Sequence, residues 1–204
     1  MSWLTKKVTE CHGSDGSSTS VLIVTQADYD SIAAEIIGPC ANSDDFKADL
    51  KLQKSCWFYH AATQKRCLLL LGEADAANKD MRALGKKAAT ELQSKKINSA
   101  HFVLSSSFSN LKQGAGHFMN KFDDCNYEVS WKRPIEEEKK TEDPRTQRHE
   151  KNVEKYTVHV EDESILASDE YKFQLAAARA QSTCKRLERT RGSEAHPEWM
   201  AAEA

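Results

Sequence analysis

Arg66-Cys-Leu-Leu-Leu-Leu-Gly72 is followed by residues 78–96 and then by Ala100-His-Phe-Val-Leu104, and this stretch decides the fold. The first run is short, apolar and closed by glycine, with the continuity of a strand buried on both faces. Residues 78–96 place Met81, Leu84, Ala88 and Leu92 on one face of a helix. The second apolar run then predicts a β-α-β crossover and a parallel pair of strands. No residue in this unit is an obvious catalyst.

On the amino-terminal side, Cys56-Trp-Phe-Tyr-His60 reads as an aromatic strand. Ala61-Ala-Thr-Gln-Lys65 is short enough to fold it back on the Arg66 strand, which predicts a hairpin and a mixed sheet. Val21-Leu-Ile-Val24 is a further buried strand, and residues 30–37 carry Ile32, Ala33, Ile36 and Ile37 at helical spacing before Gly38-Pro39 stops the helix. Residues 44–51 are read as a polar connection. Residues 10–20 are small and polar, so residues 1–20 are expected to form a flexible amino-terminal segment. Gly13 and Gly16 have serines after them, no lysine and no preceding strand, which does not support a phosphate loop.

Beyond the central unit, Ser105-Ser-Ser-Phe-Ser109 leaves the carboxyl end of a strand, where open α/β sheets place ligands. Residues 111–122 read as a helix containing Gly114-Ala-Gly116, and Met119 stands where a dinucleotide fingerprint needs its third glycine. The two glycines are therefore expected to let the helix pack closely on the sheet. Residues 133–155 are almost wholly charged or polar and predict a charged mobile loop at 133–152. Tyr156-Thr-Val-His-Val160 alternates like an edge strand. Ser168-Asp-Glu caps a last helix whose expected apolar stripe is Phe173, Ala177, Ala180, Cys184 and Leu187, with Lys185, Arg186 and Arg189 suiting its carboxyl end.

The 204 residues suit one α/β domain with appendages. Lys plus Arg number 29 against 31 Asp plus Glu, a balance that argues against a protein built to neutralise nucleic-acid phosphates. No run reaches membrane-spanning length and the first residues lack a secretory apolar core, so the cytoplasm is the expected location. The six cysteines form no C-x-x-C pair, and they are expected to be reduced, mostly buried thiols. His60, His101 and His159 fall in strand-like runs and are expected to be structural.

The order of these elements, Arg66–Gly72 followed by Asp80-Met-Arg-Ala-Leu-Gly-Lys-Lys-Ala-Ala89, residues 114–122 leading into Asp123-Asp-Cys, and the alanine-rich last helix before Ala195-His-Pro197, resembles the amino-terminal domain of the leucyl (cytosol) aminopeptidase family. The resemblance runs from about residue 21 to residue 204. Arg189 and Arg191 stand where that family usually has an Asn and a first Pro. The resemblance implies a mixed, mostly parallel sheet flanked by helices, like a macro domain, over residues 21–190. Residues 191–204 would be the linker and the start of a catalytic domain that this chain lacks.

It further implies a parent metallo-aminopeptidase, a homo-hexameric hydrolase using two divalent ions, zinc or manganese, to remove amino-terminal residues from peptides. The family's metal ligands, a lysine and carboxylates in segments such as N-T-D-A-E-G-R, belong to the catalytic domain. No catalytic, cofactor-binding or metal-binding residue is therefore assigned in this chain, which is expected to be inactive alone and to support assembly and substrate access. Two alternatives stand beside this reading. One is an ADP-ribose or nucleotide-binding module using Ser105–Ser107 and Gly114–Gly116, and the other is a protein or nucleic-acid docking module.

Overall fold

The computed structural model describes residues 2–14, 18–130, 148–151 and 153–189. In chain order the elements are α1 (Trp3–Ser14), β1 (Thr19–Thr25), α2 (Gln26–Ile36), a 3-10 turn (Gly38–Asn42), α3 (Asp44–Gln53), β2 (Ser55–Tyr59), β3 (Arg66–Gly72), α4 (Asn78–Ser94), β4 (Ser99–Leu104), α5 (Leu111–Asn126), β5 (Tyr127–Ser130), β6 (Arg148–Lys151), β7 (Lys155–His159), α6 (Ser164–Ala167) and α7 (Asp169–Arg189). Five strands form one sheet in the order β2-β3-β1-β4-β7, and β5 and β6 form a separate antiparallel ribbon.

The fold is α/β, with a mostly parallel sheet flanked by helices. Only β2 runs antiparallel, as the hairpin partner of β3 at one edge, and β7 forms the other edge. The crossover from β3 through α4 to β4 has one added feature. β1 lies between the two strands and pairs in parallel with both, Leu22 opposite Leu69 on one side and Val103 on the other.

Side-chain alternation along these strands divides the core into two layers. Val21, Ile23, Leu68, Leu70, Phe102 and Leu104 face α4, α5 and α7, where Met81, Leu84, Leu92, Phe118 and Phe122 meet them. Leu22, Val24, Leu69 and Val103 face the other way, toward Leu4 and Val8 of α1 and Ile32 and Ile36 of α2. Among the described residues, no helix is long and apolar enough to cross a membrane.

Four expectations are corrected. Trp3–Ser14 is a helix rather than part of a flexible segment, because Leu4, Val8 and Cys11 share one face and are buried. Residues 44–51 lie in α3, which Ser43 caps by accepting a hydrogen bond from Phe46 N at 3.3 Å and which Leu50 anchors in the core. The buried face of α7 is Tyr171, Gln174 and Ala178, so Phe173 is turned outward, and Ala180 and Cys184 are also exposed. Within the expected mobile loop at 133–152, Arg148–Lys151 forms β6. Residues 131–147 and 152, and the expected linker at 191–204, lie outside the described residues.

Candidate functional site

β1 and β4 are neighbours whose outgoing connections lead to opposite sides of the sheet, so the carboxyl ends of these strands form the topological switch point. Thr25, the last residue of β1, caps α2, and Asp28 completes a capping box with it. The Asp28 carboxylate does more than cap. Its Oδ2 accepts from Ser105 Oγ at 2.6 Å and Thr25 Oγ1 at 2.7 Å, and its Oδ1 accepts from Ser107 Oγ at 2.7 Å. Burial pushes the Asp28 pKa up, but hydrogen bonds from Ser105, Ser107 and Thr25 outweigh it and hold the group below the usual carboxylate range.

Two of the three serines expected near a ligand thus donate inward to a carboxylate. Ser106 donates to Glu161 Oε2 at 2.6 Å. A phosphate placed here would meet the negative charge of Asp28 rather than available donors. Gly114 and Gly116 are packing positions, but against helices rather than the expected sheet: a β-carbon at Gly114 would lie 2.9 Å from Met81 Cγ of α4, and one at Gly116 would lie 3.0 Å from Gln174 Cγ of α7. A cleft of about 440 Å³ near the ends of β1 and β3 is lined by Lys47, Lys51, Asp30 and Glu73, with Lys54 paired to Glu73 at 2.7 Å. It presents both charge signs.

The other concentration of chemistry lies beneath α1. Strand register sets Cys67, Ser20, His101 and Thr157 in one row across β3, β1, β4 and β7. Alternation turns this row toward the same face as Leu22 and Val103, so a polar row lies under the amino-terminal helix. From above, α1 contributes Cys11 and His12, both buried. His12 Nδ1 is 2.7 Å from Thr63 Oγ1, its Nε2 is 3.5 Å from Cys67 Sγ, and its backbone oxygen accepts from Lys65 Nζ. The His12 and His60 rings meet edge-on at 5.1 Å.

Cys11 reaches a different pair. The ligand atoms of Cys11, His101 and His159 all lie within 4.8 Å of one another. The two rings are 5.9 Å apart, and Thr157 Oγ1 sits 2.5 Å from His101 Nδ1 and 3.1 Å from His159 Nε2. Burial lowers the pKa of His12 to about 4, assisted by the charges of His60, Lys65 and His101. Burial also lowers those of His60 and His159, raises that of the Cys11 thiol, and pushes that of the Cys67 thiol up to about 12. Burial in this layer therefore disfavours charge on the His12, His60 and His159 imidazoles and on the Cys11 and Cys67 thiols.

Sequence reading treats His101 and His159 as separate structural residues and places Cys11 in a connector. The structure brings all three together. The helical spacing of Leu4, Val8 and Cys11 is the one signal in the sequence that places Cys11 on the inner face of α1. The sequence matches no model of a known protein family and no curated protein.

Proposed function

We propose that this chain is the non-catalytic amino-terminal domain of a leucyl aminopeptidase, a two-metal exopeptidase of the cytoplasm, and that it supports subunit assembly and substrate access there. The observation that carries this reading is the order of elements from β3 through α4, β4 and α5 to the long α7, laid on a mixed, mostly parallel sheet. That is the order and sheet type the family resemblance implies. Phe173 on the outer face of α7 is 64% exposed and offers an apolar anchor for a neighbouring domain or subunit.

The two catalytic ions of such an enzyme do not fit the residues gathered here. Their expected ligands are a lysine and carboxylates, whereas the metal-ligating cluster among the described residues is a thiol with two imidazoles. No step of peptide hydrolysis is assigned to this chain.

The experiment is to isolate the natural gene product and to assay the 204-residue chain beside it. The expected product is longer, carries the lysine and carboxylate segments after this domain, and hydrolyses leucine amides with zinc or manganese, while the 204-residue chain does not. Metal-dependent turnover by the repurified 204-residue chain, or a natural product without a metal-binding domain, would overturn the proposal.

A further inference from the structure

Cys11, His101 and His159 bring one sulfur and two imidazole nitrogens within 4.8 Å of one another, and we propose that they bind a zinc ion that clamps α1 to the edge of the sheet. Each ligand comes from a different element, α1, β4 and β7. An ion held by all three would fix the amino-terminal helix across two strands. This site is distinct in chemistry from the lysine and carboxylate ligands of the proposed parent enzyme and stands whether or not that reading holds.

The donor set selects the ion. A thiolate with two imidazoles suits zinc and its soft or borderline neighbours, whereas magnesium, calcium and manganese favour oxygen. Zinc bond lengths put tetrahedral ligands about 3.4 to 3.8 Å from one another. The cluster therefore has to contract by up to about 1.4 Å. His159 lies half-buried on an edge strand, where such an adjustment is least opposed by neighbours.

Thr157 supplies the outer support. Its hydroxyl oxygen has two lone pairs and lies within hydrogen-bonding distance of one ring nitrogen from each histidine. A histidine that donates to this hydroxyl through one ring nitrogen keeps its other nitrogen for the ion, so Thr157 would set the tautomer of each ligand. Lys7 and Glu10 flank the cluster but pair with each other at 3.2 Å, so they add little net charge.

Binding is a proton exchange: the Cys11 thiol loses its proton to solvent, and its sulfur forms the bond to zinc as a thiolate. Three protein ligands leave the fourth position to water.

Cobalt(II) titration of the metal-free 204-residue chain tests the assignment. The expected result is a thiolate-to-cobalt charge-transfer band saturating at one ion per chain and removed by zinc. Cys11→Ser abolishes it, His159→Gln weakens binding at least about 10-fold, and Cys184→Ser leaves it unchanged. As a test that needs no folded variant, zinc should slow alkylation of Cys11 at least about 10-fold while leaving that of the exposed Cys184 unaltered. Absence of the band, its survival in a folded Cys11→Ser chain, or zinc-independent alkylation of Cys11 would overturn the site.

Discussion

Gly85 of α4 lies against the backbone of Phe118 in α5 so closely that a β-carbon on it would sit 2.2 Å from the Phe118 carbonyl oxygen. The obstacle is helix backbone, which cannot rotate aside as a side chain can. Alanine would favour the helix by about 1 kcal/mol over glycine. Forcing α4 and α5 apart costs more, because Phe118, Met119 and Phe122 all fill the layer between the sheet and these helices. Gly85→Ala should therefore destabilise the chain by about 2–4 kcal/mol in urea unfolding. A neutral or stabilising result would show that the two helices do not cross at this distance.

Asp28 joins the ends of β1 and β4 through Thr25, Ser105 and Ser107. Replacing it by alanine removes the capping acceptor and deprives three hydroxyls of their partner, and Ser105 is buried. The expected loss is about 2–3 kcal/mol. Asp28→Asn keeps one acceptor oxygen and should lose less. Because the folded pKa of Asp28 is depressed, its contribution is present above the ordinary carboxylate range and fades as pH falls through the folded value. The gap between wild type and Asp28→Ala, read from chemical denaturation, should therefore shrink in acid. A gap that widens would contradict this account.

Tyr156 on β7 donates its hydroxyl between the two oxygens of Asp123, at 2.9 and 2.8 Å, while its ring meets Phe122 edge-on at 5.5 Å. Two contributions can be separated by substitution. Tyr156→Phe removes only the charge-assisted hydrogen bond and should cost about 1.5–3 kcal/mol. Tyr156→Ala also opens the aromatic cluster and should cost about 3–5 kcal/mol. Thermal unfolding of the two variants side by side gives the ranking, and equal losses would mean that the hydroxyl carries the whole effect.

How much of this was readable beforehand depended on whether the signal was local. The continuous apolar runs of β1, β3 and β4 and the regular stripe of α4 are local patterns, and the structure follows them. The α3 stripe offers only Phe46 and Leu50 among charges, so its buried face is hard to distinguish from a connection, although Ser43 was a usable cap signal. On α7 the buried face includes Gln174, whose backbone oxygen accepts from Asn120 Nδ2 at 2.9 Å. A stripe chosen by hydrophobicity alone therefore rotates toward Phe173. The clustering of Cys11, His101 and His159 is a consequence of strand order and of where α1 lies, and no spacing within the sequence encodes it.

The imidazole layer under α1 should make the metal-free chain sensitive to mild acid. In the unfolded chain His12 takes up a proton around its ordinary value of 6.5, whereas in the folded chain burial lowers that value to about 4. Between these two values the unfolded state binds more protons, so stability falls as pH is lowered through that window. His60 and His159, both lowered by burial, contribute in the same direction. The His12 share is on the order of 2 kcal/mol, set below the full linkage value to allow for solvent screening of the charged ring. Denaturation midpoints measured from neutral pH down to about pH 4 should fall steadily, with no change in the slope that reports exposed surface. His12→Gln, which keeps the ring position polar but cannot titrate, should be less stable at neutral pH and lose less on acidification. If wild type and His12→Gln fall in parallel across this range, His12 is already protonated in the folded chain and the layer does not exclude charge.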